Sequence, residues 1–225
     1  MPEWLTYRLS DFLMFTPGTY YRLFERQNEA LWPLQLFTLA LGLVLTGTAW
    51  RDAGRRQVLP GLLAMVWVFV GWAFHWQRYA PINLAAKWFA AAFVLEALLL
   101  AGWAARMAAT PAAASRSRVG LVMSLFGLEM LPLIGPLLGR SWTAVELFGL
   151  APDPTATVTL GLLLMTGAPA PLLVIPLLWC VVSWATLWAM DAGDAWVVLG
   201  VGVVVVAGGL VEGRVRRVRQ NSGTE

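Results

Sequence analysis

The sequence predicts an all-α integral membrane protein: a seven-transmembrane helix bundle, N-terminus out and C-terminus in, with an N-terminal interfacial amphipathic helix. Three observations lead there. Only 13% of the 225 residues are charged and 59% are hydrophobic, about half the charged fraction of a soluble domain. Apolar runs near the ~20 residues that cross a bilayer recur along the chain. Arginines divide the loops between those runs into two alternating sets.

The runs fall at about 30–50, 60–78, 85–109, 119–139, 154–168, 171–190 and 194–211. Residues 1–29 then form an interfacial segment, 30–211 the membrane domain and 212–225 a basic cytoplasmic tail. Arg51, Arg55 and Arg56 follow the first run, Arg106, Arg116 and Arg118 the third, and Arg214, Arg216, Arg217 and Arg219 the last. The intervening turns hold fewer arginines, and DAGD at 191–194 is purely acidic. The arginine-rich side is therefore expected in the cytoplasm of a bacterial inner membrane. The fifth run is the weakest, about 22 Å long as a helix of some fifteen residues. It is either a short span or a re-entrant segment broken at GAPAP; seven spans keep RVRRVR inside. Asp153 ahead of Pro154 reads as its N-cap.

Ahead of the first run, TPGTYYRLFERQNEALWP (16–33) reads as a helix capped by Thr16, with Pro17 in its first turn. Tyr20, Leu23, Phe24, Gln27 and Leu31 share one side; Arg22, Glu25, Arg26 and Glu29 form the other. It is expected in the outer headgroup layer, with LFGLAPD (147–153) as a second surface element beside it. Many tryptophans mark helix ends as an interfacial belt, whereas Trp67, Trp72 and Trp184 lie deeper. Gly200, Gly202, Gly208 and Gly209 point to close helix approach in the last run.

Two carboxylates fall near mid-span, Glu96 and Glu129. A charge at helix centre costs about 2.5–3.5 kcal/mol on the insertion scale, so each should face protein or water. Glu129 precedes Pro132 and Pro136, which leave carbonyls without helical donors and suggest a cation or proton site in a broken helix. The bland alternative is a neutral acid bonded to a carbonyl or to Gln35, Thr38, Ser124 or Ser183.

A second cluster, FHWQRYAPIN (74–83), holds the only histidine, His75, with Gln77, Arg78 and Asn83; the only lysine, Lys87, follows. Lys87 falls in the first turn of the third span, where the helix dipole disfavours a cation, which suggests an acidic partner or an anion. Snorkelling of Lys87 and Arg78 to lipid phosphates is the plainer reading. Lys87 precedes Glu96 by nine residues, some 13 Å of rise, and one vestibule is expected to join the turn to the buried acids.

No HExxH, GxSxG or Cys–His arrangement is present, and Cys180 is alone, which disfavours an enzyme and excludes an intrachain disulfide and a Cys-based metal site. The sequence names no cofactor. A retinal site is rejected because the last span holds no lysine. There is no basic stripe interleaved with aromatics, so nucleic acid is not an expected partner.

WLTYRLSDFLMFTPGTYYRLFE, WQRYAPIN and LFGLAPDPTATVTLGLLL together resemble an uncharacterised bacterial family of multi-pass inner-membrane proteins, a domain of unknown function whose members are sometimes loosely labelled permease. The resemblance implies a membrane fold and supplies no site residues. The expectation is a small transporter or channel for a small solute or ion, proton- or cation-coupled through buried carboxylates and embedded in the lipid bilayer. The candidate binding residues are Glu96, Glu129, His75, Lys87, Arg78 and Gln77. The alternative is an accessory or assembly subunit of a larger membrane complex, or a homo-oligomer.

Overall fold

The computed structural model describes residues 14–51, 56–109 and 117–221, with Ala109 and residues 214–221 described by their backbone alone. Residues 1–13, Arg55, Arg116 and the side chains of the arginines in the tail lie outside the described residues. All regular structure within them is helical: α1 (Pro17–Ala30), α2 (Leu34–Arg51), α3 (Leu59–Val70), α4 (Ala86–Ala109), α5 (Arg118–Leu125), α6 (Leu131–Leu137), α7 (Pro152–Thr166), α8 (Pro171–Ala189) and α9 (Ala195–Asn221). A π-helical stretch, Gly71–Tyr79, continues α3, and a second, Phe126–Met130, joins α5 to α6.

Six helices are long and apolar enough to cross a membrane: Leu34–Arg51, Arg56–Tyr79, Ala86–Ala108, Arg118–Leu137, Pro171–Ala189 and Ala195–Gly213. They mark the chain as a membrane protein. The fifth apolar run of the sequence is α7, which is too short to join that set. Every residue of α7 but Leu164 is buried, because α2, α3, α5, α8 and α9 all pack around it. Its polar side chains face protein rather than hydrocarbon: Thr159 Oγ1 accepts from Trp67 Nε1 at 2.9 Å, and Thr166 Oγ1 donates to Leu162 O at 2.7 Å. The helix ends at Gly167, whose φ of 67° places it in the left-handed region, and Ala168 N donates back to Leu163 O at 3.0 Å.

The helices α5 and α7 approach closely through two glycines. A Cβ on Gly161 would stand 2.5 Å from Gly120 O, and one on Gly120 would stand 2.5 Å from Gly161 O. The glycines of α9 divide. A Cβ on Gly208 would press on Val119 at 2.7 Å, whereas nothing stands near Gly200.

The helix α1 forms as its sequence dictates. Thr16 Oγ1 accepts from Thr19 N at 3.2 Å, and Tyr20, Leu23, Phe24 and Gln27 are the buried side. That side faces the bundle: the rings of Phe24 and Phe74 stack at 4.9 Å, Tyr20 meets Tyr79 at 5.6 Å, and Gln27 Nε2 donates to Leu150 O at 2.6 Å. The expected second surface element at 147–153 is not on the surface. Phe148 through Asp153 are buried beneath α1 and lead straight into α7. Asp153 is also not the N-cap; Ala151 occupies that position, Pro152 opens the helix, and the Asp153 side chain turns to α8.

Candidate functional site

The end of the bundle that carries α1 gathers a network of paired polar groups. Asp153, only 3% exposed, accepts from Trp179 Nε1 at 2.7 Å and from Ser183 Oγ at 2.6 Å. The two donors lie four residues apart on α8, one turn, so a single carboxylate reaches both. Arg140, which follows α6, forms a two-pronged ion pair with Asp194 at the head of α9, and its guanidinium lies 4.5 Å from the ring centroid of Tyr21. Asn28 Nδ2 donates to Thr143 O at 2.9 Å and Val145 O at 2.8 Å. In the loop between, Glu146 is half-buried, with Oε2 fully buried and unbonded among the described residues. Burial, reinforced by the charge of Asp153, holds the Glu146 carboxyl well above the usual range, against the opposing pull of Arg140.

Two ionisable groups of the interior, on the extension of α3 and on α4, stand apart from this pairing. His75 is fully buried inside rings: Phe93 at 4.5 Å, Trp179 at 4.8 Å, Phe74 at 5.4 Å and Phe89 at 5.9 Å between centroids. Neither ring nitrogen has a hydrogen-bond partner among the described residues. The π-helical stretch produces this placement. In its wider turn Ala80 N bonds back five residues to His75 O at 2.9 Å, and the chain presents Phe74 and His75 inward with Trp72 and Trp76 outward. Such stretches recur at functional sites.

Glu96 lies on α4 three residues beyond Phe93, about 4.5 Å of helix rise. It is fully buried, and neither carboxylate oxygen has a partner among the described residues. The side chains that the bland reading offered are engaged elsewhere. Ser183 donates to Asp153, Ser124 Oγ to Val158 O at 3.4 Å, Gln35 Nε2 to Asn28 O at 2.6 Å and Thr38 Oγ1 to Gln35 O at 3.1 Å.

The remaining sequence candidates separate. Glu129 is exposed on the second π-helical stretch, which packs on α7, while α4 packs on α3 and α8; a buried acid and an exposed one on different neighbours form no pair. The helix around Glu129 shifts register ahead of Pro132, with Leu131 N bonded five residues back to Phe126 O. Gln77 is exposed and Arg78 half-buried. Lys87 is exposed, with Nζ 5.7 Å above the Trp76 ring. Nine residues at 100° each turn α4 by two and a half revolutions, so Lys87 and Glu96 stand on opposite faces, and the single vestibule expected between them does not form. Asn83 sits in the turn that leads into α4, its Oδ1 accepting from Ala85 N at 2.9 Å.

A recess of about 340 Å³ opens at the α1 end, lined by Phe15, Thr16, Thr19, Ile82 and Asn83 among others. Its Phe15 ring meets Tyr79 at 5.6 Å, and Tyr79 lies 6.3 Å from His75. Ring contacts thus run from the recess through Tyr79 and His75 to Phe93, one helical turn ahead of Glu96 on α4. Among the described residues no three His, Cys, Asp or Glu side chains come together as a metal-ligand set.

The model of a family of unknown function, DUF6064, matches residues 18–220. The chain belongs to that family. The match runs from α1 into the last turns of α9, so the π-helical stretches and the buried acid lie within it. Neither a curated protein nor a solved structure matches the chain.

Sequence reasoning missed Asp153 and Trp179 as parts of one buried unit. An acid in the first turn of a helix looks like an ordinary N-terminal charge. Only the packing of α7 inside the bundle turns it into a buried acceptor. The available signal was the Thr-rich face of α7, unusual for a segment facing lipid.

Proposed function

We propose that this chain is a bacterial inner-membrane transport protein that moves a small solute or ion, coupled to a proton or cation at Glu96. The observation that carries the reading is a fully buried carboxyl group without a hydrogen-bond partner among the described residues, inside a spanning helix. Ionised, it costs about 2.5–3.5 kcal/mol at helix centre. Protonated, it still leaves polar atoms unbonded, at about 1–3 kcal/mol. Intramembrane acids of this kind serve ion and proton pathways. A state in which Glu96 receives a partner, from a cation, a proton donor or a substrate, recovers that energy.

His75 extends the reading. It lies between the recess and Glu96, with both nitrogens free of partners among the described residues, and an imidazole in that position can relay a proton. Asp153 positions Trp179, which forms one wall of the His75 cage. Gln77, Lys87 and Glu129, being exposed, are left out of the path.

In the proposed topology α7 makes a seventh, lipid-shielded crossing, which reverses the chain between Leu137 and Pro171. The recess then faces outward. Arg51, Arg106 and Arg118, at the opposite ends of their helices, then face the cytoplasm.

Reconstituted in liposomes under an imposed potential and pH gradient, the wild-type chain should carry a proton flux read by an entrapped pH dye. Glu96→Gln should reduce it at least tenfold while eluting and melting as a folded protein. Equal flux in the two would remove Glu96 from the mechanism.

A further inference from the structure

On the outer face of α3 and α4, away from His75 and Glu96, two recesses join into one groove. The first, about 360 Å³, lies among Val68, Trp72, Trp76, Lys87, Ala91 and Val94. The second, about 500 Å³, shares Val68 and Trp72 and continues past Met65 and Leu98 to Ala101. Its α4 wall runs fourteen residues on from Lys87 to Ala101, a rise of about 21 Å, somewhat more than one leaflet of a ~30 Å hydrocarbon core. The walls are aliphatic or aromatic throughout except at one end.

That end holds the chain's only lysine. Lys87 is exposed, lies over the Trp76 ring, and has no acidic side chain within ion-pair distance among the described residues. Trp76 and Trp88 are exposed at the same level, where tryptophans anchor at the headgroup layer. A cation and aromatic edges at the headgroup, above an apolar channel of leaflet length, match an amphiphile with a negative head and an acyl tail.

We propose that this groove is a binding site for an anionic phospholipid, its phosphate paired with Lys87 and one acyl chain lying along Trp72, Val68 and Met65. The site is independent of the transport path, because Lys87 and Glu96 occupy opposite faces of α4. A second protein helix is a poorer occupant, since it would have to cover an unpaired lysine with an apolar surface.

The test is native mass spectrometry of the full chain released from nanodiscs of equimolar phosphatidylglycerol and phosphatidylethanolamine. Wild type should retain phosphatidylglycerol in preference. Lys87→Gln should reduce that preference about fivefold, the value of one basic residue near an anionic lipid surface. Ala91→Phe, which fills the groove from an exposed position, should reduce retention of both lipids. The proposal is overturned by equal retention of the two lipids in wild type, by an unchanged preference in Lys87→Gln, or by release as a dimer whose groove takes up no lipid. Proton flux in Lys87→Gln should match wild type, so failure here is distinguishable from failure of the transport reading.

Discussion

The two polar regions of this bundle differ in how completely their groups are paired. At the α1 end most charged and amide groups meet partners: Arg140 holds Asp194, Asp153 accepts twice and Asn28 donates twice, while single oxygens of Gln27, Gln35 and Glu146 stay unbonded among the described residues. In the interior, His75 and Glu96 are more deeply buried and have no such partners among the described residues. A group that exists to fix packing should be satisfied, because an unsatisfied buried group destabilises the fold it is meant to hold. The paired region is therefore the scaffold. His75 and Glu96 carry a desolvation cost that no hydrogen bond among the described residues offsets, and the proposed transport role rests on that cost.

The comparison is broken most forcefully at its paired side. Asp153→Leu strands the Trp179 indole N–H and the Ser183 hydroxyl in the interior, and should destabilise the protein by about 2–5 kcal/mol. A chemical or thermal unfolding curve in detergent measures it; a loss below ~1 kcal/mol would mean that Asp153 is not part of the scaffold. Next comes the seam that holds α7 in place. Gly161→Ala puts a methyl 2.5 Å from Gly120 O, and backbone cannot swing aside as a side chain can, so a loss of about 1–3 kcal/mol is expected. Gly200→Ala, with open space around it, is the control and should leave the melting temperature unchanged or slightly raised.

The smallest expected effect concerns pH. Because the Glu146 carboxyl is held above its ordinary value by burial, the folded state binds its proton more tightly than the unfolded state does. Its contribution to stability is greatest below the ordinary glutamate range and is lost as pH rises from there through the elevated folded value. Glu146→Gln should flatten that part of the stability–pH curve and raise the melting temperature at pH 8 by about 2 °C. An unchanged curve would show that the carboxylate is solvated when ionised.

Much of this was legible from the sequence and the rest was not, for identifiable reasons. The α1 helix, its cap at Thr16 and its buried side were readable because they are local: a 3.6-residue period and a threonine before a proline. Six of the seven apolar runs were readable because lipid demands continuous hydrophobicity. The seventh, α7, looked weak for a reason that became informative. A helix shielded by five others can keep threonines that hydrocarbon would reject. Depth along the chain identified Glu96, but depth says nothing of direction, so Glu129 looked equivalent until packing left it on the exposed surface. The π-helical stretches also change which residues share a face. The first of them carries His75 inward and Gln77 outward.

The central claim is that Glu96 is retained for function at the expense of stability. Measuring the unfolding free energy of Glu96→Leu beside wild type, in the same detergent, tests it most directly. The account predicts a variant as stable as wild type or more so, by up to about 3 kcal/mol, that carries no flux. A variant destabilised by several kcal/mol would contradict it, since Glu96 would then be a structural group with a partner of its own.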